Sequence, residues 1–378
     1  MQPRHAAPAS VLLLAGAYAL WQRSGHRLPA HTLDLRLEHV VSFGADRGRG
    51  NLLGVQPYMM PPDYATPERF RAKLEGYLAA AHAQGWISPR TVVVFPEHLG
   101  TWLVALGERS GLYNAATIAH ALRLLALSHL PGLARQWPAA KAADRTAAAL
   151  FAVKAKQMAE AYHRTFAHLA RTHRCTVVAG SILLPSPQIE EGALTVGPAP
   201  LQNVAAVYGP DGALHPRLVR KVYLTPAEQP LASGAPSAAL PWFETPAGRL
   251  GVLICADSWH PEPYARLRQH GVELVAVPSY LEVSDIWHRP WRGYVGMATP
   301  PDVDPADAGR ITEGQAWLRY ALAGRLRSSG ARWGINVFLR GALWDLGADG
   351  HTIVVEGDHV HEAPHGDGAA LVNLWLGA

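Results

Sequence analysis

Apolar positions change their period several times along the chain, and each change marks an element. Residues 51–56 form a short apolar run closed by Pro57, as a buried strand does. Over residues 67–84, Phe70, Leu74, Tyr77, Leu78 and Ala81 recur at helical spacing, and Gly85 supplies the stop. The β-branched run at 91–95 predicts a second strand, ended by Pro96. Residues 98–144 are less regular and predict one helix around 115–127. Asp144 is placed to cap a long helix reaching about residue 172, with Phe151, Ala155, Met158, Tyr162 and Leu169 on its apolar stripe.

Strands are expected next at 175–183, 203–208 and 219–223, with Gly209-Pro210-Asp211-Gly212 as a hairpin turn before the last. A strand at 249–254, a helix at 261–269 and a strand at 273–277 ended by Pro278 follow. Residues 282–312, rich in Pro, Asp and Gly, read as a loop-like insertion. A helix at 313–328 and strands at 335–339, 352–355 and 370–374 complete the pattern. Strands alternating with helices on this scale predict a layered α/β domain whose helices cover both outer faces. No repeat and no linker divides 51–378, which is read as one folding unit behind an extension at 1–50.

The extension contains an unbroken apolar run at 11–21, preceded by Arg4 and followed by Arg23 and Arg27. Its eleven residues fall short of the roughly 20 that span a bilayer. It matches the apolar region of a signal peptide, with Ala15-Gly16-Ala17 or Ala17-Tyr18-Ala19 as a cleavage site. A short uncleaved anchor is the close rival, and a buried helix in a cytoplasmic protein the plainer alternative. The expectation is therefore an exported, periplasmic or membrane-anchored protein, with membrane association through this segment.

Composition narrows the chemistry. With 378 residues, 49% hydrophobic and 17% charged, the chain can bury a large core. The formal charge of +4 and pI near 9.1 look basic, but 34 Lys and Arg are scattered among 30 Asp and Glu. No basic stripe laced with aromatics points to nucleic acid. Of the two cysteines, Cys175 lies in an apolar run and reads as an inert core thiol. The histidines carry no zinc signature: His163, His168 and His173 spread around a helix, and His359 and His361 lack a third partner in sequence. A metallohydrolase is the last of the readings.

Three residues stand where strands end. Glu97 follows the run at 91–95, a place where α/β sheets commonly set their ligands. Alone, it would most simply be a solvated loop carboxylate. Lys221 interrupts an alternating strand, where a lone lysine usually guards an edge. Cys255 ends the strand Leu250-Gly251-Val252-Leu253-Ile254, with Asp257 or Ser258 near the cap of the next helix and Pro261 in its first turn. A thiol on such a turn faces backbone N–H groups that favour a thiolate and a developing oxyanion. Its plain alternative is a buried core cysteine.

In combination the three segments resemble the nitrilase, or carbon–nitrogen hydrolase, superfamily. The matching stretches are Phe95-Pro96-Glu97, Arg220-Lys221-Val222-Tyr223-Leu224, and Gly251-Val252-Leu253-Ile254-Cys255-Ala256-Asp257 with Pro261-Glu262. Leu53-Gly54-Val55-Gln56, the 203–212 hairpin and Val275-Ala276-Val277-Pro278-Ser279 also resemble the family, so the likeness covers 51–280 closely and 313–378 loosely. It implies a four-layer α-β-β-α sandwich of two packed sheets and hydrolysis of an amide, nitrile or carbamoyl C–N bond through a cysteine thioester. Glu97 would act as general base and acid, Cys255 as nucleophile, and Lys221 with the backbone N–H of Ala256 as oxyanion stabilisers. Glu228 resembles an auxiliary glutamate that some members place near the site. The resemblance implies no metal or organic cofactor and a small-molecule substrate; a homodimer or higher homo-oligomer is left open by the sequence. The interval from Glu97 to Lys221 is long for the family, so 98–144 reads as an insertion beside the pocket mouth, as does 282–312. Trp102, Trp259, Tyr280, Trp287 and Trp291 are candidates to line an apolar substrate site. An N-acyltransferase using the same thioester, or a non-catalytic membrane-tethered binding protein, are the alternatives.

Overall fold

The computed structural model describes residues 16–21 and 24–377. Two sheets carry the fold. The first has seven strands in the order Leu37–Phe43, Ala369–Trp375, Asn51–Gln56, Thr91–Val94, Thr176–Pro185, Leu201–Tyr208 and Val219–Arg220. The second has six: Trp242–Thr245, Gly248–Val252, Leu274–Ser279, Trp333–Phe338, Ile353–Glu356 and His359–Glu362. Each sheet has a parallel centre flanked by antiparallel strands. Asn51–Gln56, Thr91–Val94 and Thr176–Pro185 run parallel in one, and Gly248–Val252, Leu274–Ser279 and Trp333–Phe338 in the other.

Continuous apolar runs are what central strands need when both of their faces are covered. Successive side chains divide accordingly. Leu53, Val55, Val93 and Val177 pack with Phe70, Leu74 and Leu78 of helix Pro67–Ala83 and with Met158, Tyr162 and Phe166 of helix Arg145–His173. Their neighbours Leu52, Val92, Val94 and Val178 join Val252, Val277, Ile335 and Val337 of the other sheet. Gly54 marks how closely the sheets approach, since a Cβ there would lie 2.9 Å from Ile335 Cδ1. Tyr264, Leu267, Trp317 and Leu322, from helices Pro261–Gln269, Glu313–Tyr320 and Leu322–Arg325, belong to the cluster that covers the second sheet. The result is the expected four-layer α-β-β-α sandwich.

Several boundaries differ from expectation. Strand Leu37–Phe43 sits at the edge of the first sheet, parallel to Ala369–Trp375, so part of the 1–50 extension belongs to the fold. Its alternating half-buried and exposed positions make it an edge strand too short in apolar content to announce itself. The helix expected at 313–328 is broken: Ala321 takes φ −102° and ψ −146°, and a 3-10 turn, Leu326–Ser329, ends the segment. The irregular 98–144 segment holds helices Ile118–Ser128 and Leu130–Gln136 and shorter turns. Of the apolar run at 11–21, residues 11–15 lie outside the described residues. Residues 16–21 are helical, and the Tyr18 hydroxyl donates to the Leu127 carbonyl at 3.0 Å. Among the described residues no helix is long and apolar enough to cross a membrane.

Candidate active site

The three candidate residues converge at one end of the sandwich, each delivered by a different turn. After strand Thr91–Val94, the Phe95 N–H still pairs with the Val178 carbonyl, and the chain then bends sharply. His98 adopts φ +57°, and its N–H donates to Ser181 Oγ. Gly180 makes room for this bend, because a Cβ there would meet the Pro96 carbonyl oxygen at 2.2 Å. Glu97 is thereby buried at the strand end instead of solvated.

Lys221 is not the exposed edge charge that a lone strand lysine suggests. The strand ends at Arg220, three residues earlier than the expected 219–223, but the Lys221 N–H still donates to the Asn203 carbonyl at 2.9 Å. The side chain, 1% exposed, turns inward. Its Nζ donates to Glu97 Oε1 at 2.7 Å and to Glu228 Oε2 at 2.6 Å. Asn203 Nδ2 bridges the same two carboxylates, at 2.9 Å from Glu97 Oε1 and 2.7 Å from Glu228 Oε1. The Thr225 N–H and hydroxyl complete the hold on Glu228.

Cys255 follows strand Gly248–Val252 with φ +46°, a left-handed conformation that costs a non-glycine residue on the order of 1 kcal/mol or more. Asp257 holds that elbow in place. Its carboxylate accepts the N–H groups of Ile254, Val222 and Tyr223 at 3.2, 2.9 and 2.8 Å. It is a tether between the Lys221 and Cys255 segments, not the helix cap that its position in sequence suggests; the cap of Pro261–Gln269 is His260. The Sγ of Cys255 lies 3.8 Å from the Tyr280 carbonyl oxygen and faces both Glu97 and Lys221.

The electrostatics divide the roles. Burial opposes the charge of Lys221, but Glu228 and Glu97 outweigh it and hold the ammonium well above its usual pKa. Burial also opposes ionisation of Glu228, and Lys221 and His98 overcome it, keeping that carboxylate well below its usual value. His98, also resisted by burial, is raised by Glu97 and Glu228. Burial and then the Glu97 charge push the Cys255 thiol well up, only partly offset by Lys221, so the resting sulfur carries its proton. Cys175, as expected, is a buried thiol pushed up to about 12 by burial alone.

A pH dependence of stability follows. The folded pKa of Glu228 lies below its unfolded value near 4.5, so its stabilisation is complete above that pH and is lost as pH falls through the folded value. Melting curves should therefore show a steeper acid limb for the wild type than for Glu228→Gln. Superimposable acid limbs would mean that Glu228 is not held as an anion beside Lys221.

Glu97, His98 and Glu228 each offer a ligand atom within 4.8 Å of the others, the spacing of a metal site. The Lys221 ammonium already contacts both carboxylates, so the place of a cation between them is taken by the chain itself.

Two cavities meet at this centre. The larger, about 580 Å³, is lined by Glu97, His98, Lys221 and Glu228 at one end. Trp102, Ile118, Leu122, Phe151, Leu183, Leu231, Val283, Ile286, Met297 and Leu346 make up much of its remaining wall. The smaller, about 150 Å³, lies against Cys255, Ala256, Trp259 and Trp291. Thr225, Tyr280, Leu281, Gly293 and Met297 line both. Both insertions, 98–144 and 282–312, thus contribute walls. Of the candidate aromatics, Trp287 does not line either cavity. It is buried against Phe338 and His351, and its Nε1 donates to Glu362 at 2.9 Å. Asn203, His98 and Asp257 were not singled out as site residues in the sequence; the one signal was Asn203, a buried amide in a mostly apolar strand.

The carbon-nitrogen hydrolase family model matches residues 55–298. No curated protein is significantly similar in sequence. Solved structures similar in fold include a mutant of the amidase from Nesterenkonia sp. AN1 with acrylamide added at its active-site cysteine. It is 15% identical, with a TM-score of 0.53 over 87% of this chain and 93% of that one. A second mutant of that amidase, assigned to the nitrilase superfamily, is 15% identical with a TM-score of 0.54 over 88% and 94%. A third carries the acetamide moiety of fluoroacetamide on its active-site cysteine, at 17% identity and a TM-score of 0.53 over 88% and 93%. At these identities the likeness is one of fold.

Proposed function

The chain belongs to the carbon–nitrogen hydrolase family, and from that premise we propose that it hydrolyses a linear amide with a large apolar acyl group, through a thioester on Cys255. The observation that carries this reading is the juxtaposition of a buried thiol, a carboxylate and a lysine ammonium where a large, mostly apolar cavity adjoins a smaller one that holds the thiol.

Each group has one task in the reaction. Glu97 takes the proton from Cys255 as the sulfur attacks the amide carbon. The carbonyl oxygen gains negative charge and is met by Lys221 Nζ and the backbone N–H of Ala256. Glu97 then gives its proton to the nitrogen, the C–N bond breaks and the amine leaves. In the second half Glu97 takes a proton from water, whose oxygen attacks the thioester carbon. The carboxylic acid departs, and the proton held by Glu97 returns to the sulfur. Glu228 stays anionic throughout as the partner of Lys221, which frees Glu97 to shuttle the proton.

The acyl preference rests on the cavity wall. For a series of primary amides, kcat/KM is expected to rise with acyl length in the wild type. Leu122→Trp should cap that rise, lowering kcat/KM for the long members roughly 10-fold or more while sparing the short ones. Flat dependence on length, or no differential effect of the substitution, would remove the apolar group from the proposal. The chemistry is tested separately by intact mass after mixing with each amide. An acyl adduct on Cys255 is expected, and it should turn over to free acid. Turnover only when an amine is supplied would make the protein an acyltransferase.

A further inference from the structure

Away from the cavities, three histidines meet where the 282–312 insertion touches the sheets. His288 comes from the insertion, His351 from just before strand Ile353–Glu356, and His365 from the loop leading to strand Ala369–Trp375. One ring nitrogen from each lies within 4.8 Å of the other two. We propose that these three imidazoles form a binding site for a divalent metal of the zinc class, a clip that fastens the insertion to both sheets.

The hydrogen bonds around the cluster favour a ligand set over a chance gathering. His351 is buried, and its Nδ1 hydrogen-bonds Glu362 Oε1. With a proton on Nδ1 shared with that carboxylate, Nε2 is the nitrogen that carries the lone pair, here hydrogen-bonded to His365 Nδ1, and a carboxylate orients a metal-binding imidazole in the same way. The same Glu362 oxygen accepts the Trp287 indole N–H at 2.9 Å, and Trp287 stacks on His351 with ring centres 4.9 Å apart. The His351 ring therefore has little freedom to turn away.

His365 Nδ1 is 3.0 Å from His351 Nε2. A tetrahedral ion with bonds of about 2.0–2.1 Å needs its nitrogens roughly 3.3 Å apart, so this pair is nearly at ligand spacing. His288 is exposed and closes the remaining gap by a side-chain rotation. Its backbone is already held, because the Trp287 N–H donates to Asp349 Oδ2 and the Glu313 N–H to the Arg289 carbonyl. The His365 carbonyl oxygen, in turn, is hydrogen-bonded to His39 on the edge strand Leu37–Phe43. Three neutral imidazoles suit zinc, nickel or copper, and the fourth position would be water.

The site lies two residues from Ile286, which lines the large cavity, so an ion there would steady that wall. The inference is independent of the proposed reaction, and its test does not use activity. Tag-free full-length protein, stripped with chelator, is titrated with Zn²⁺ against a chromophoric competitor, and its melting temperature is followed. One tight equivalent and a zinc-dependent rise in melting temperature are expected. Both should vanish in His288→Ala and in His365→Ala, exposed positions at which the fold survives. Glu362→Gln should weaken binding roughly 10- to 100-fold, and His82→Ala, remote from the cluster, should leave it unchanged. Absence of a tight equivalent in the wild type, or its persistence in the His288 and His365 variants, overturns the proposal.

Discussion

Cys255→Ala is expected to abolish turnover, by roughly 10⁴-fold or more, while the protein keeps its fold. The substitution removes only the sulfur and keeps the Cβ, so the backbone strain at φ +46° is unchanged. The elbow is held by the Asp257 carboxylate and by Ser258, whose hydroxyl donates to the Cys255 carbonyl, and the thiol adds only its 3.8 Å contact with the Tyr280 carbonyl. Circular dichroism and the melting transition should therefore overlay those of the wild type. Intact mass should show no acyl adduct with any amide. Residual turnover within 10-fold of the wild type would mean that another nucleophile does the chemistry.

Lys221→Met should impair both activity and stability, and the two losses can be separated. The ammonium is the cation between two buried carboxylates, so its loss leaves Glu97 and Glu228 with only His98 to offset them. Breaking a buried pair in this way costs about 3–5 kcal/mol. Activity should fall on the order of 10²-fold or more, as when an oxyanion donor is removed. With the cation gone, the folded-state pKa of Glu228 should rise toward its unfolded value, while His98 still holds it down. The acid limb of the variant's stability should then be shallower than that of the wild type, since less of the stabilisation from Glu228 is left to lose as pH falls. Adding Glu228→Gln to Lys221→Met removes one of the opposed charges and should recover much of the melting temperature, but none of the rate. Recovery of the rate with the stability would reduce Lys221 to a structural cation.

The layered fold was legible because strands covered on both faces leave unbroken apolar runs, and helix Arg145–His173 leaves a long periodic stripe. The edge strand Leu37–Phe43 was not, since a half-exposed strand has no such signature. At the site, Glu97, Lys221 and Cys255 were recognisable only together, because each alone has a commonplace alternative. Two things were hidden. Asn203 works through its side chain across three segments distant in sequence, which no local pattern encodes. Asp257 sits where a helix cap would, and only the fold shows its three N–H partners on two separate turns. Trp287 illustrates the converse, an aromatic in a pocket-building insertion that serves the cluster behind the wall.

Strand Ala369–Trp375 lies between Leu37–Phe43 and Asn51–Gln56, so among the described residues the last strand in sequence sits between the first two. Until that strand is present, Leu37–Phe43 has no partner in the sheet, whereas Asn51–Gln56 can already pair with Thr91–Val94. Until then the backbone edge of Asn51–Gln56 stays open to any passing strand. Deleting residues 369–378 would remove an interior strand of the first sheet. Such a truncation should accumulate as aggregate, and the intact chain should refold slowly, as expected where the closing contact joins opposite ends of the chain.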